Sequence, residues 1–157
     1  MANCTIKKLA ESVVNANLPV LEEPLAIIEN VTGIPTSSVG LITQDINVGD
    51  KSGIRVFFDG FDVSSLSINN GSSMNLQMYT RDTEFTQSSG GNFNITEINE
   101  SNKATKFADF LENGAHISGS KTTYNTGQFR MFGAPSPAVW TYTGAPFKIV
   151  IFKEADT

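Results

Sequence analysis

Apolar residues along this chain follow two spacings, one of three to four residues and one of two. Ile6, Leu9, Ala10, Val13 and Val14 recur at helical spacing. Thr5 can cap that run and Leu18-Pro19 ends it, which predicts an amphipathic helix over 6–17. Leu25, Ile28 and Val31 repeat the spacing after Pro24, with Gly33 as a stop, and predict a second, shorter helix. The third helical run is Lys103 to Asn113. Phe107, Phe110 and Leu111 form its buried stripe, Ser101 or Asn102 can cap it, and Gly114 stops it.

Elsewhere the period is two. Ile54-Arg55-Val56-Phe57-Phe58 is a strand, Asp59-Gly60 a turn, and Val63 to Ile68 its expected partner. Met74, Leu76 and Met78 alternate with Asn75, Gln77 and Tyr79, the signature of a half-buried strand. A short strand is expected around 41–43 and a weaker one at Phe93 and Ile95, after a polar loop over 87–92. Val139 to Thr143 and Phe147 to Lys153 are expected to close a meander. The last of these is apolar on both alternating faces, so it predicts a strand covered on both sides. Left on an open edge, the same run would drive aggregation.

The fold class is therefore α+β: mainly antiparallel β, as a sandwich or curled sheet, with an N-terminal helical segment and one internal helix. At 157 residues and without an internal repeat, one domain is expected: a helical arm over 1–33, then a β-rich body over 34–157 carrying the helix near 103–113. Composition agrees with that picture. Only 17% of residues are charged, while 14 Asn, 15 Ser, 15 Thr and 13 Gly favour turns and polar strand faces over long helices.

The net charge of −5 comes without a Lys/Arg cluster, which argues against nucleic acid and against an anionic membrane surface as partners. No run nears the ~20 apolar residues of a membrane-spanning helix. The N-terminus lacks the apolar core of a signal peptide, so synthesis in the cytoplasm is expected.

Chemistry-bearing residues are sparse. One cysteine, Cys4, and one histidine, His116, cannot assemble a zinc site of nitrogen and sulfur ligands. Gly114 to Thr122 resembles a phosphate-cradling loop with one residue inserted before Lys121. It follows a helix C-terminus, however, where the dipole repels anions. Serving as a general base, His116 would need an orienting acid and a nucleophile such as Ser118, and no nucleophile turn is present. Asp59 with Asp62, and Asp82 with Glu84, read as turn and strand-end residues rather than a glycosidase pair. No catalytic residue, metal or cofactor is assigned.

What remains is surface chemistry. The texture looks like that of bacteriophage capsid, connector or tail proteins, a likeness of composition alone. The expectation is a non-catalytic, acidic structural subunit, homo-oligomeric and located in a virion. It would bind copies of itself and other subunits through Ile6, Leu9, Val13, Phe147, Ile149 and Ile151. The alternative is a carbohydrate-binding β-sandwich, with a glycan stacked on exposed Trp140, Tyr142 and Tyr124.

Overall fold

The computed structural model of the chain describes residues 23–36, 42–46, 53–81, 87–118, 127–135 and 139–155. Three antiparallel sheets surround one apolar core. The first sheet has the order β1-β10-β3-β7, from Ala26–Val31, Phe147–Glu154, Gly53–Asp59 and Ala115–Ile117. The second, β2-β8-β5-β6, comes from Ile42–Ile46, Gly127–Ala134, Ser73–Arg81 and Gln87–Ile95. A two-stranded ribbon pairs β4 (Leu66–Asn70) with β9 (Val139–Tyr142). The one helix among the described residues, α1, spans Lys103–Asn113.

Strand period decides the core. Ile54, Val56 and Phe58 of β3 face the same interior as Phe147, Ile149 and Ile151 of β10, and each is no more than 1% exposed. From the second sheet, Met74, Leu76, Met78, Phe129 and Met131 meet them. Helix α1 adds Phe107, Phe110 and Leu111, the stripe its sequence predicts. Asn99 accepts bonds from the amides of Ser101 and Asn102 to make the entry turn. Gly114 leaves the helix at φ 72°, a left-handed geometry that suits glycine, with Val56 O 2.8 Å from where a Cβ would stand.

The two larger sheets join differently on their two sides. At one, the Gly91 amide of β6 donates to Ser118 O just past β7, at 3.1 Å. A side chain at Gly91 would put its Cβ 2.4 Å from that oxygen, so only glycine lets the seam close. At the other side the chain itself crosses over: Pro35 O accepts from Gly133 N at 2.7 Å, and Thr36 bridges to Gly133 of β8. The body of β1 is left with a described partner, β10, on one side only.

Sequence expectations fail at several points. The helix expected after Pro24 is the strand β1, so a helical arm does not run through 26–31. A bulge is the reason. Ile28 opposes Ile149 and Val31 opposes Phe147, so three steps on β1 match two on β10, with Asn30 at φ 58° in the extra position. Two inward residues three apart then imitate helical spacing. Val63–Ser65 is a 3₁₀ turn, and β4 pairs with β9 rather than with β3. β9 and β10 lie in different sheets, so they do not form a meander. The polar loop expected over 87–92 is part of strand β6, held to β5. The helix expected over 6–17 lies outside the described residues.

Candidate functional site

Beside the outer edge of β1 runs a groove of about 580 Å³, within the size range of small-ligand sites. Its walls are residues 28–35 of β1 and its continuation, Ile42 of β2, and Trp140 and Tyr142 of β9. The bulge supplies its shape. Left-handed Asn30 is a conformation that asparagine tolerates better than other side-chain-bearing residues. It turns the chain so that Val31 and Ile34 enter the core, at 3% and 4% exposure, while Asn30 and Thr32 stay exposed.

Trp140 and Tyr142 both line this groove, although neither is a free stacking platform. Trp140 is 9% exposed, and its indole N–H is buried without an acceptor. Tyr142 stacks on Phe61 with ring centroids 5.2 Å apart. Its hydroxyl accepts from the Asp62 amide and donates to Ala145 O, both at 3.1 Å. Those bonds tie the end of β9 to the turn after β3, so most of Tyr142 is committed to holding the ribbon in place. Tyr124 lies outside the described residues, as do Ile6, Leu9 and Val13. Phe147, Ile149 and Ile151 pack inside this chain's own core, with no surface to offer a partner.

A second constellation stands on the outer face of the first sheet. Arg55 donates to both carboxylate oxygens of Glu154, from Nε at 2.6 Å and Nη2 at 2.8 Å. Its Nη1 donates to Asn113 O at 3.1 Å and ties down the helix C-terminus. His116, the register partner of Arg55, brings Nδ1 to 2.8 Å from Glu154 Oε1. Chiefly through the Arg55 hydrogen bond, the Glu154 carboxyl is held below the usual glutamate range.

A histidine beside a carboxylate is half of a proton relay. Here the carboxylate is already spent on a bidentate guanidinium, and His116 does not line the groove. The sequence holds no hint of this cluster, because β3, β7 and β10 are brought together only by long-range pairing.

Two other charged groups serve the scaffold. Glu100 accepts from the Ile68 amide at 2.9 Å, while Lys103 donates to Leu66 O and pairs with Glu100. Together they occupy the outward backbone groups of β4 and blunt that edge. The hydrogen bond from Lys103 lowers the Glu100 carboxyl. Asp62, one of the carboxylates noted in the sequence, accepts from the hydroxyls of Ser64 and Ser65, which lower its pKa, and from the Ser64 amide, which caps the 3₁₀ turn. Asp59 stands in the first sheet, on β3, opposite Lys148.

Among the described residues no three His, Cys, Asp or Glu side chains converge as a metal site would require, and no helix is long and apolar enough to cross a membrane. The described residues form antiparallel β sheets with one helix around a shared core, and the groove lies beside β1. Compared with protein-family models, curated proteins and solved structures, the chain matches none.

Proposed function

We propose that the chain is a non-catalytic structural subunit, of the kind that builds a bacteriophage-like virion, with residues 6–17 as an amphipathic helical arm. The observation that supports this reading is the outer edge of β1. It has no described strand partner, it exposes Ile27 to 47%, and it adjoins an apolar-floored groove. An edge of this kind accepts an extended segment of another subunit by strand addition, with groove-filling side chains setting the choice of partner. Every other described large apolar residue except Val139 is at least partly withdrawn from solvent, so among the described residues this edge is an adhesive place.

Light scattering of the full chain across a hundredfold concentration range tests the proposal. Self-association that Ile27→Lys weakens about tenfold or more is the expected result. A strict monomer at every concentration, with or without the substitution, removes self-assembly through this edge.

One observation favours a second reading, a carbohydrate-binding module: Trp140 and Tyr142 line a groove whose rim carries Asn30, Thr32 and Glu29. Sugar hydroxyls would bond those polar groups, while apolar sugar faces met the exposed part of the rings. Retention on a glycan panel that Thr32→Trp abolishes would support it. Silence across the panel would leave the assembly reading alone.

A further inference from the structure

The sequence contains two Asn-Gly pairs, Asn70-Gly71 and Asn113-Gly114. An asparagine followed by glycine is open to attack on its own side chain, because the next residue has no Cβ to hinder the approach of its backbone nitrogen. As sequence the two pairs are alike, but the fold puts them in opposite situations. Asn113 ends α1, and the groups that would react there are held. The Gly114 amide donates to Phe110 O at 2.8 Å, and Asn113 Nδ2 donates to Asp109 Oδ1 at 2.8 Å. Asn113 O accepts from Arg55 at 3.1 Å, and Gly114 is buried.

Asn70 stands at the end of β4, exposed, and Gly71 follows at φ 94° in the short link Gly71-Ser72 that leads into β5. This link borders a hollow of about 370 Å³, lined also by Ile68, Asn69, Asn99 and Pro135. There is room in it for a ring to close and for water to reach that ring. Ser72, one residue on, is fixed on both sides. Its amide donates to Ala134 O at 2.8 Å, and its carbonyl accepts from the Ile98 amide at 3.0 Å.

We propose that Asn70 is a site of spontaneous modification, converting to isoaspartate and aspartate in the native protein, while the fold shields Asn113. The Gly71 backbone nitrogen attacks Asn70 Cγ. The bond from Cγ to the side-chain nitrogen breaks, and ammonia leaves with the proton that Gly71 gives up. Water then opens the cyclic imide at either of its carbonyls. Opening at the main-chain carbonyl yields isoaspartate, and opening at the side-chain carbonyl yields aspartate. Either product adds a negative charge to a chain whose net charge is already −5. Isoaspartate also lengthens the main chain by one carbon where it passes from the ribbon of β4 and β9 to the second sheet. With Ser72 pinned, the turn itself must absorb that carbon. This inference is independent of the assembly reading, since Asn70 lies neither on β1 nor in its groove.

Peptide mapping by mass spectrometry tests it, on the full native chain held in mildly alkaline buffer. The mass gained when an amide becomes an acid is followed over time at both asparagines, with fragmentation that separates isoaspartate from aspartate. In the native protein Asn70 should convert at least about tenfold faster than Asn113, where two or more hydrogen bonds of ordinary net strength must break first. In the same chain unfolded in urea the two rates should become comparable, because local structure no longer protects either site. No conversion at Asn70, or equal rates at the two sites in the native protein, would overturn the proposal. A preference for Asn70 that persisted unchanged in urea would overturn it too, since neighbouring sequence rather than the fold would then set it.

Discussion

The two four-stranded sheets contribute inner faces of the same kind and outer faces of opposite kinds. In the second sheet the outer positions are Asn75, Gln77, Asn92, Asn94 and Arg130, a field of amides and one guanidinium stacked 5.7 Å from Phe132. Asn92 and Asn94 are exposed to water and Asn75 bonds the Ser73 hydroxyl, so only the inner face is apolar and it fixes which way the sheet lies. In the first sheet, Phe57, Val150 and Phe152 make the outer face nearly as apolar as the inner one, with charge confined to a rim. Composition alone therefore does not orient this sheet. Its orientation comes from volume: the inner side takes the larger aromatic assembly, where Phe58 meets Phe61, Phe110 and Phe147 at 4.7–5.5 Å.

That contrast can be broken most forcefully from inside. Phe58→Ala, at a fully buried position touching three rings, is expected to cost about 4–5 kcal/mol, read from the urea midpoint at constant slope. The outer faces should then separate. Phe152→Ala removes a ring that is 5% exposed and should cost about 3 kcal/mol. Asn92→Ala, exposed on the second sheet, should stay within about 0.5 kcal/mol. Equal small losses at Phe152 and Asn92 would show that the two outer faces do not differ energetically.

The apolar character of both faces of the first sheet is legible in the sequence, since Phe147 to Lys153 is apolar on both parities. So are α1, β3 and the alternation of β5, because each rests on a local period. β1 was not, and for a specific reason: the extra residue at Asn30 gives a strand the three-residue spacing of a helix. Nor was the pairing of β4 with β9, separated by some seventy residues of chain, because hydrophobic pattern names a face and never a neighbour. The candidate site was half visible. Trp140 and Tyr142 stand out as aromatics in a polar neighbourhood, but their burial depends on Phe61, Ile68 and the bulge in β1.

The seam between the sheets offers a sharper, smaller test. Gly91→Ala would place a methyl group 2.4 Å from Ser118 O and 2.8 Å from Ser118 N, both backbone atoms that cannot swing aside. The expected loss is about 2 kcal/mol, together with faster amide exchange in β7. Gly33→Ala, whose added methyl would meet only the Tyr142 Cβ at an ordinary 3.7 Å, provides the control. If Gly91→Ala were neutral, the hydrogen bond from Gly91 to Ser118 would not be what holds that side of the two sheets together.

The smallest effect concerns the charged rim. Arg55 holds the Glu154 carboxyl below its ordinary range, so in the folded state Glu154 gives up its proton more readily than in the unfolded chain. Around and below the ordinary glutamate value of about 4.3, the unfolded state therefore binds more protons than the folded one, and stability rises with pH. The contribution is fully present above about pH 5 and is lost as pH falls through the depressed folded value. Side-chain exposures of 31% and 37% let solvent screen the pair, which limits its worth to about 0.5–1 kcal/mol. Glu100 and Asp62 are lowered in the same direction, so acid titration of the native chain alone would mix three groups. Glu154→Gln separates them. The difference in unfolding free energy between native and variant protein should be largest above about pH 5 and shrink toward zero as pH falls through the depressed folded value. A difference that stayed constant with pH would show that Glu154 acts on the rim by shape rather than by charge.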